Sequence, residues 1–376
     1  MIDWKSYRDL YPHTTDQLYL NHAAIAPMNT RAQQAIMEFM KLRLGKHVEF
    51  WPEALDKKAY FVELIAKLLH VHQDSIALTS NTSAGLNILA LGLSWKPGDR
   101  ILLNNFEFPS NVIPFQNLQR LGVEIDFVSH RNGKIDLEDI KKAIHPNTKL
   151  LSISFVEFLN GYRNDMKTLG DICRENELIF SVDAIQGLGA LDLNAKETNI
   201  DFLSSGGHKW LMWPAGLGFV YISPRIFDQL YPAQAGWMSL DVPFDFFNYQ
   251  QPLAPNARRF EPGVFSTISI MGSTATLEMM LEIGLDNIEK KILGNTQYLI
   301  TELIERGYKL YTDPTPERQS GIVTFYHPEA EAVFNYLKEN RVTVSLREGM
   351  IRVSPHFYHD QQDLEKFLKI LGDFKG

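Results

Sequence analysis

The chain has 376 residues, of which 45% are hydrophobic and 22% are charged, so it can bury a large core and is not disordered as a whole. Its 37 basic and 45 acidic residues give a net charge of −8, which offers no electrostatic reason to expect a nucleic-acid partner. A single cysteine, Cys173, excludes a disulfide framework and a thiolate metal cluster, and it favours a reducing cytoplasm. No apolar run approaches the ~20 residues of a membrane span, and no signal-peptide pattern is present, so we expect neither a membrane nor export.

The first half of the chain predicts an α/β sandwich. Between Asp74 and Ser223, short apolar runs alternate with segments of helical periodicity, which is typical of parallel strands joined by crossover helices. The predicted strands are 75–79, 100–104, 124–129, 149–155, 178–183, 200–204 and 218–223. The predicted helices between them are 83–94, 111–121, 137–144 and 166–176.

The pattern changes between Tyr231 and Pro262, where prolines and aromatic residues replace the alternation of strands and helices. We interpret this segment as a connection that contributes an apolar pocket for a bulky substrate. The rest of the chain predicts a smaller α+β domain, with helices over 274–283, 285–305 and 362–371 and strands near 321–326 and 351–354. We divide the chain into a large cofactor-binding domain, residues 20–260, and a small domain, residues 1–19 and 261–376.

The most informative stretches are SVDAIQGLGA, residues 181–190, and DFLSSGGHKWLMWPAGLGFVYIS, residues 201–223. Asp183 ends an apolar strand, and Lys209 lies in a glycine-rich turn between two further strands. Because ligands of open parallel sheets bind at strand ends, we expect this carboxylate and this amine to face one crevice. An amine among the apolar residues 210–213 should be desolvated, which makes it a better nucleophile toward a carbonyl group. Schiff-base chemistry is the natural use of such an amine.

With Gln186 three residues after Asp183 and His208 just before Lys209, the chain resembles the aminotransferase class V family of pyridoxal-phosphate enzymes. The resemblance implies the fold-type I architecture, in which a large α/β/α domain with a mainly parallel sheet joins a smaller α+β domain. It also implies pyridoxal 5′-phosphate as cofactor, amino-acid and keto-acid substrates, and a homodimer with shared active sites. Besides the two stretches above, the segments that carry the resemblance are LYLNHAAIAP (18–27), TSNTSAGLN (79–87), EFPSNVIPF (107–115), RRFEPGVFST (258–267) and MIRVSPHFYH (350–359).

The resemblance assigns the residues around the cofactor ring. Lys209 would form the Schiff base and then move the substrate proton, and Asp183 would hold the pyridine nitrogen protonated. Phe108 would stack on the ring, where cysteine desulfurases carry a histidine. Gln186 would bond the phenolic oxygen of the cofactor. An asparagine that the family carries near position 158 is absent, and the role of Asn160 is left open.

The cofactor phosphate would be bound by Thr82 and Ser83, because the N–H groups and dipole of the helix that follows favour an anion. A plain helix cap at this turn is compatible with the same role. His208 would also reach the phosphate. Relatives carry Ser-Gly-His-Lys where this chain has a glycine at position 206, so the usual hydroxyl is missing at Gly206 and Ser205 is the candidate to replace it.

The substrate α-carboxylate would be held by Arg352, whose planar and permanently charged guanidinium matches a carboxylate in two hydrogen bonds. His22 and Ala24 would line the mouth of the substrate site. Thr267 would reach across the dimer interface to the cofactor phosphate of the neighbouring subunit. Arg347 either supplies a second charge or is solvated, and the sequence leaves its role open.

The reaction is predicted to be transamination, with Lys209 as the acid and base. Persulfide transfer by a cysteine desulfurase is excluded, because residues 342–350 contain no cysteine and Cys173 lies in an apolar helical stripe. The alternatives are a β-elimination lyase of the selenocysteine-lyase kind and an epimerase. An epimerase needs a second acid or base, which Phe108 cannot supply. A protein that uses this fold only for binding is disfavoured, because the catalytic residues are present.

Overall fold

The elements below are those of a computed structural model, which describes residues 2–45 and 48–375. The strands are β1 (Leu18–Tyr19), β2 (Ile76–Thr79), β3 (Arg100–Asn104), β4 (Glu124–Val128), β5 (Thr148–Ser154), β6 (Ile179–Asp183), β7 (Phe202–Gly206), β8 (Gly218–Ile222), β9 (Val323–Tyr326), β10 (Val342–Thr343), β11 (Ser345–Arg347) and β12 (Met350–Val353). The helices are α1 (Trp4–Arg8), α2 (Thr30–Gly45), α3 (Trp51–Leu69), α4 (Thr82–Gly92), α5 (Ile113–Gln116), α6 (Leu137–Ala143), α7 (Met166–Glu175), α8 (Pro224–Phe227), α9 (Thr267–Ile283), α10 (Leu285–Glu305), α11 (Ala330–Glu339) and α12 (Gln361–Asp373).

The central sheet has seven strands in the order β2-β8-β7-β6-β5-β3-β4. The five strands from β7 to β4 are parallel, and every strand that the sequence predicts in this half of the chain is present. β8 runs antiparallel to both β7 and β2, so the sheet is mixed rather than all-parallel. The physical reason is the connection over residues 207–217, which is too short for the crossover helix that a parallel return requires. The predicted α/β class with a mainly parallel sheet is confirmed.

Helix α4 packs closely against the strands that carry the site. Gly85 makes this approach possible, because a β carbon at that position would overlap Ser204 Oγ and Val220 Cγ1. On another side of the core, α9 packs against α2 and α3, and Ile270 and Leu277 of α9 are fully buried. Neither α2 nor α3 was predicted from the sequence.

A second hydrophobic core forms around the smaller sheets, β11-β12-β9 and β1-β10. It contains apolar side chains of α10, α11 and α12, for example Leu303, Val333 and Phe367. The parallel pairing of β1 with β10 attaches residues 18–19 to this part of the chain. An α+β arrangement is therefore present as predicted, and the boundary at residue 260 stays a prediction.

In the part of the chain that the structure describes, no single helix is both long and apolar enough to cross a bilayer.

Candidate active site

A cavity of about 310 Å³ opens where the parallel strands end and α4 begins. Asp183 is the last residue of β6, and Lys209 follows β7, so the topology brings the predicted carboxylate and amine to this cavity. Its walls are formed by Ala23, Ala24, Asn81, Thr82, Ser83, Phe108, Ser110, Phe158, Asp183, Ile185, Gln186, His208, Lys209, Arg347 and Arg352. Nine side chains predicted from the sequence thus lie around one cavity: Ala24, Thr82, Ser83, Phe108, Asp183, Gln186, His208, Lys209 and Arg352.

Lys209 lies in the short loop between β7 and β8. The four residues that follow it, Trp210, Leu211, Met212 and Trp213, are buried. Burial, together with the positive charges of Arg352 and Arg347, lowers the pKa of the Lys209 amine to about 8, against the opposing charge of Asp183. The amine can therefore lose its proton near neutral pH and act as a nucleophile and base.

Asp183 is buried, and its Oδ1 accepts a hydrogen bond from the backbone N–H of Ile185 at 3.0 Å. Burial raises the pKa of this carboxyl group to about 6, while that hydrogen bond and the charge of Lys209 oppose the rise. In residues 2–45 and 48–375 no side chain donates a hydrogen bond to Asp183. The carboxylate thus needs a cationic partner in the cavity, and a protonated pyridine nitrogen fits that need.

The first turn of α4 supplies groups for a phosphate. Asn81 caps the helix by accepting the N–H of Ala84 at 2.9 Å. Thr82 Oγ1 accepts the N–H of Gly206 at 2.9 Å, so its own hydroxyl proton remains free to be donated. Ser83 Oγ bonds Ser110 Oγ at 2.8 Å. The free N–H groups of this turn favour an anion, in agreement with the predicted phosphate site.

Ser205 does not line the cavity, so the prediction that it replaces the hydroxyl missing at Gly206 is wrong. It is buried, and its hydroxyl donates to the carbonyl of Gly206 at 3.2 Å. Side chains alternate along β7, and the neighbouring Ser204 faces α4, where it bonds the carbonyl of Thr82. Ser205 therefore points to the other face of the sheet.

His22 does not line the substrate mouth either, which corrects a second prediction. Its ring is fully buried, with Nδ1 donating to the carbonyl of Ser354 at 3.1 Å and Nε2 accepting from the hydroxyl of Tyr358 at 2.9 Å. The sequence located the turn after β1 correctly, but it does not show on which side of a turn each side chain lies. Ala23 and Ala24, the next residues, do reach the cavity.

Thr267 begins helix α9 and does not line the cavity of its own chain. The resemblance assigns it to the site of a neighbouring subunit, and that role stays a prediction.

Two aromatic side chains form one wall of the cavity. The ring centroid of Phe108 lies 5.6 Å from Lys209 Nζ, and the rings of Phe108 and Phe158 meet edge to face at 5.3 Å. Phe158 was not predicted as a site residue, and it lies near the position where the resemblance implies an asparagine. Asn160 has a structural role instead, because its amide bonds the carbonyl of Gly133 at 2.9 Å and the N–H of Tyr162 at 3.1 Å.

Both the nitrogen and the oxygen of the Gln186 side-chain amide form hydrogen bonds that hold this side chain in place. Its Nε2 donates to the carbonyl of Ala23 at 3.0 Å, and its Oε1 accepts from Trp210 Nε1 at 3.0 Å. The second N–H of the amide remains available, which fits the predicted bond to the phenolic oxygen of the cofactor.

Arg352 is buried, and its Nη1 donates to the backbone carbonyl of Phe158 at 2.6 Å. The Nε of this guanidinium is buried and has no hydrogen-bond partner among the described residues. Burial, together with the nearby charge of Arg347, lowers the pKa of Arg352 to about 9. A buried cation with an unpaired donor fits the predicted role of binding an incoming carboxylate.

Two acids beside the site were missed, the half-buried Glu107 and the fully buried Glu157. Glu107 accepts hydrogen bonds from Asn104 and from both the N–H and the hydroxyl of Ser154. Burial raises the pKa of Glu107 to about 7, and burial together with the charge of Glu107 raises the pKa of Glu157 well above its usual value. Glu157 follows the predicted strand 149–155 by two residues, which places it near the sheet edge. Nothing in the sequence shows that either acid is removed from solvent.

A cluster of buried histidines lies behind the loop that carries Lys209. His356 Nε2 donates to the carbonyl of Trp210 at 3.0 Å, and its ring centroid lies 4.9 Å from that of His22. His359 is also buried, and its Nδ1 accepts the N–H of His356 at 3.0 Å. These contacts hold the backbone next to the reactive lysine in place.

The segment between Tyr231 and Phe260 does not contribute to the cavity, so its predicted role in the substrate pocket is wrong for the described chain. It lines two separate cavities of about 680 and 340 Å³ instead. Trp237, Phe244 and Phe246 of this segment cluster with Trp51 at the start of α3.

The fold and the site together define a class of protein. Four features are those of fold-type I pyridoxal-phosphate enzymes: a mainly parallel sheet of this order, a lysine after β7, a buried aspartate at the end of β6, and a helix amino terminus at the same cavity. The unpaired Asp183, the desolvated Lys209 and the first turn of α4 match the nitrogen, carbonyl and phosphate of that cofactor.

Comparison with known proteins identifies the family. The Aminotransferase class-V family profile matches residues 18–367, so the chain belongs to this family, and its cofactor is pyridoxal phosphate. A probable cysteine desulfurase of Pyrococcus abyssi is 30% identical over 82% of this chain and 81% of that protein. An uncharacterized aminotransferase of Bacillus subtilis is 25% identical over 96% of this chain and 95% of its own.

Solved structures show the same fold. The apo structure of a cysteine desulfurase from Thermococcus onnurineus has a TM-score of 0.90 and 27% identity, and the match covers 99% of this chain and 98% of that one. A cystine C-S lyase in complex with its product cysteine persulfide has a TM-score of 0.90 and 23% identity, with 97% and 100% of the chains covered. Both matches confirm a single architecture over the whole length.

Proposed function

We propose that the protein is an aminotransferase that transfers the amino group of an amino acid to a keto acid, with Lys209 as the catalytic acid and base. One observation carries this proposal. The cavity places the Lys209 amine beside a buried carboxylate and an unpaired arginine, while Phe108 forms a wall that cannot move a proton. A single base that removes and returns a proton on one side of the substrate is what transamination needs.

Each side chain has a separate task in the proposed reaction. Arg352 binds the α-carboxylate, and the Phe108 and Phe158 rings shield the reacting carbon from water. Lys209 would take the proton from Cα and return a proton on the same side of the substrate. Asp183 would hold the pyridine nitrogen of the cofactor in its charged form. Pyridoxal phosphate, when bound, supplies the sink for the electrons that the lost proton leaves behind.

The proposal differs from the name of the Pyrococcus relative, because we propose no persulfide transfer. The only cysteine of the chain is Cys173. It lies in α7, is 1% exposed and does not line the cavity. Burial also raises the pKa of its thiol, which disfavours the reactive thiolate.

We further propose a homodimer in which Thr267 completes the phosphate site of the partner. Its position at the amino terminus of α9, away from its own cavity, supports this proposal. Sedimentation of the purified protein tests it, since a monomer with full activity would contradict it. The expected cytoplasmic location stays a prediction.

The test of the reaction uses holoenzyme mixed with an amino acid and no keto acid. An aminotransferase releases one equivalent of keto acid per site and then stops, because no second keto acid is present to accept the amino group taken from the substrate. A β-elimination lyase instead releases keto acid and ammonia continuously, and an epimerase releases neither but inverts the amino acid. Either of these results would overturn the proposal. Lys209→Ala is the control and should give no product.

A further inference from the structure

The hairpin of β11 and β12 presents two arginines to the active-site cavity. In its register Ser345 pairs with Arg352 and Arg347 pairs with Met350, so these four residues share one face of the hairpin. The opposite face, with Leu346 and Ile351, packs on the second hydrophobic core. The first face therefore looks toward the large sheet, and both Arg347 and Arg352 line the cavity.

The two arginines differ in burial but share the lack of an anionic partner. Arg352 is 2% exposed and Arg347 is exposed, and neither forms an ion pair with an acidic side chain in the described part of the chain. Arg352 retains a buried Nε without a hydrogen-bond partner. Other arginines on this molecule, such as Arg225 with Asp201, meet a carboxylate of the protein itself.

The charges that line the cavity are out of balance. Lys209, Arg347 and Arg352 are basic, and Asp183 is the one acid among the lining residues that the structure describes. Asp183 lies at the end of β6, where the pyridine nitrogen is expected, and among the described residues it hydrogen-bonds to neither arginine. The two guanidinium groups therefore line the cavity without an acidic side-chain partner among the described residues, and the charge of Arg347 disfavours the charged form of Arg352. A ligand with two anionic groups would relieve that repulsion.

The size of the cavity limits the ligand. Its volume of about 310 Å³ must hold the cofactor as well as the substrate. Its remaining walls near the hairpin are the small Ala23 and Ala24 and the rings of Phe108 and Phe158. A short side chain that ends in a carboxylate fits such a space, whereas a long or bulky side chain does not.

We propose that Arg347 binds the side-chain carboxylate of a dicarboxylic α-amino acid of the aspartate or glutamate kind, while Arg352 binds its α-carboxylate. This inference rests on the proposed function only in that it takes the cavity to be an amino-acid site. Arg347 is a specificity residue, since it meets the distal carboxylate and not the reacting atoms. Its planar guanidinium suits a carboxylate in two hydrogen bonds.

The test measures binding to the holoenzyme by calorimetry, with carboxylates that cannot react. Succinate and glutarate are compared with propionate and butyrate, which lack the second carboxylate. We expect Arg347→Gln to weaken the two dicarboxylates about tenfold to a hundredfold and to leave the monocarboxylates unchanged. Arg352→Gln should weaken all four. Arg341→Gln is the matched control, because Arg341 precedes the hairpin, is exposed and does not line the cavity.

Three results would overturn the inference. Wild-type protein that binds succinate no better than propionate shows that the cavity has no second anionic subsite. If Arg347→Gln loses as much affinity for the monocarboxylates as for the dicarboxylates, Arg347 binds the α-carboxylate together with Arg352. A tenfold loss of pyridoxal-phosphate affinity in that variant assigns it to the cofactor. A lyase result in the product assay would remove the proposed reaction but would leave the binding ratio unchanged, so the two failures can be told apart.

Discussion

At the scale of single residues, Asp183 is a buried acid whose charge is not balanced by a basic side chain that hydrogen-bonds to it. We predict that Asp183→Asn retains some cofactor but lowers kcat/KM about tenfold to a hundredfold or more, because the amide cannot hold the pyridinium. One charge-assisted hydrogen bond is worth roughly 1.5 to 3 kcal/mol. Steady-state kinetics at saturating pyridoxal phosphate measure the loss, and unchanged turnover would show that the electron sink is maintained by another group.

The same carboxyl group predicts a pH effect on the cofactor-free protein. Its pKa of about 6 in the folded state lies above the ordinary value of 3.8, so the folded protein holds the proton more tightly than the unfolded chain. This contribution to stability is lost as the pH rises from about 4 to about 6. Urea unfolding of apoprotein should show that the unfolding free energy of wild type falls relative to that of Asp183→Asn between pH 4 and pH 6, and a constant difference between the two would argue against the raised pKa.

Cys173 provides a test in which activity should not change. Because it is buried in α7, Cys173→Ser places a hydroxyl in an apolar environment and should cost on the order of 1 to 3 kcal/mol of unfolding free energy. Activity should stay within a few-fold, and Cys173→Ala should behave likewise with a different stability loss. Inactive but folded variants at this position would restore a thiol mechanism.

Single residues were predictable from sequence where the strand pattern fixed their place. Lys209 and Asp183 were found because each follows a buried strand, and the edge of a parallel sheet is a ligand site. Ser205 was not, because a shift of one position along β7 reverses the face of the sheet. Glu107 and Glu157 were missed because their environment depends on neighbours that are distant in the sequence, such as Ser154, which donates two hydrogen bonds to Glu107.

At the scale of elements, α4 depends on Gly85 for its distance from the sheet. We predict that Gly85→Ala destabilises the protein by roughly 1 to 3 kcal/mol and weakens pyridoxal-phosphate binding, because the added methyl group pushes the first turn of α4 away from Ser204. Thermal unfolding and cofactor titration measure the two effects.

The matched control is Gly294→Ala, which makes the same change inside α10. A β carbon at Gly294 has nothing within 4 Å, so the substitution should stabilise the protein by up to about 1 kcal/mol through helix propensity alone. We expect the two substitutions to change the free energy of unfolding in opposite directions. A Gly85→Ala variant as stable as the Gly294→Ala variant would show that α4 can move without cost.

Elements were predicted well where each had a complete apolar run, as in β3, whose bounds Arg100–Asn104 match the prediction. β1, β10 and β11 have only two or three residues each, which is too short for a periodic pattern. The direction of β8 could not be derived from its apolar residues, because hydrophobic alternation is the same in both directions. The length of the preceding loop was the available signal.

At the scale of the whole molecule, the buried histidines predict sensitivity to acid. Burial lowers the pKa of His356 and of His359 to about 3, and it lowers that of His22 well below its ordinary value. At these histidines the unfolded chain therefore binds protons that the folded chain does not bind. The free energy of unfolding falls as the pH drops from about 6.5 toward about 3. Each group contributes up to about 1.4 kcal/mol per pH unit in that range.

Chemical denaturation between pH 7 and pH 4 tests this prediction. His356→Gln should show a shallower decline than wild type, while His145→Gln, at an exposed position, should follow the wild-type slope. Parallel curves for wild type and His356→Gln would contradict the assignment. A lower stability of His356→Gln at pH 7 is expected as well, because the bond to the carbonyl of Trp210 is altered.

The hydrogen bond from Arg352 to the carbonyl of Phe158 joins a strand built on the second core to a loop built on the first. The arginine that we propose to bind the substrate is thus already oriented before any substrate arrives, and binding does not have to draw the parts of the chain built on the two cores together. Association should then be governed by diffusion and charge rather than by a hinge motion. Small-angle scattering profiles of holoenzyme with and without succinate should superimpose, and the on-rate should fall with added salt.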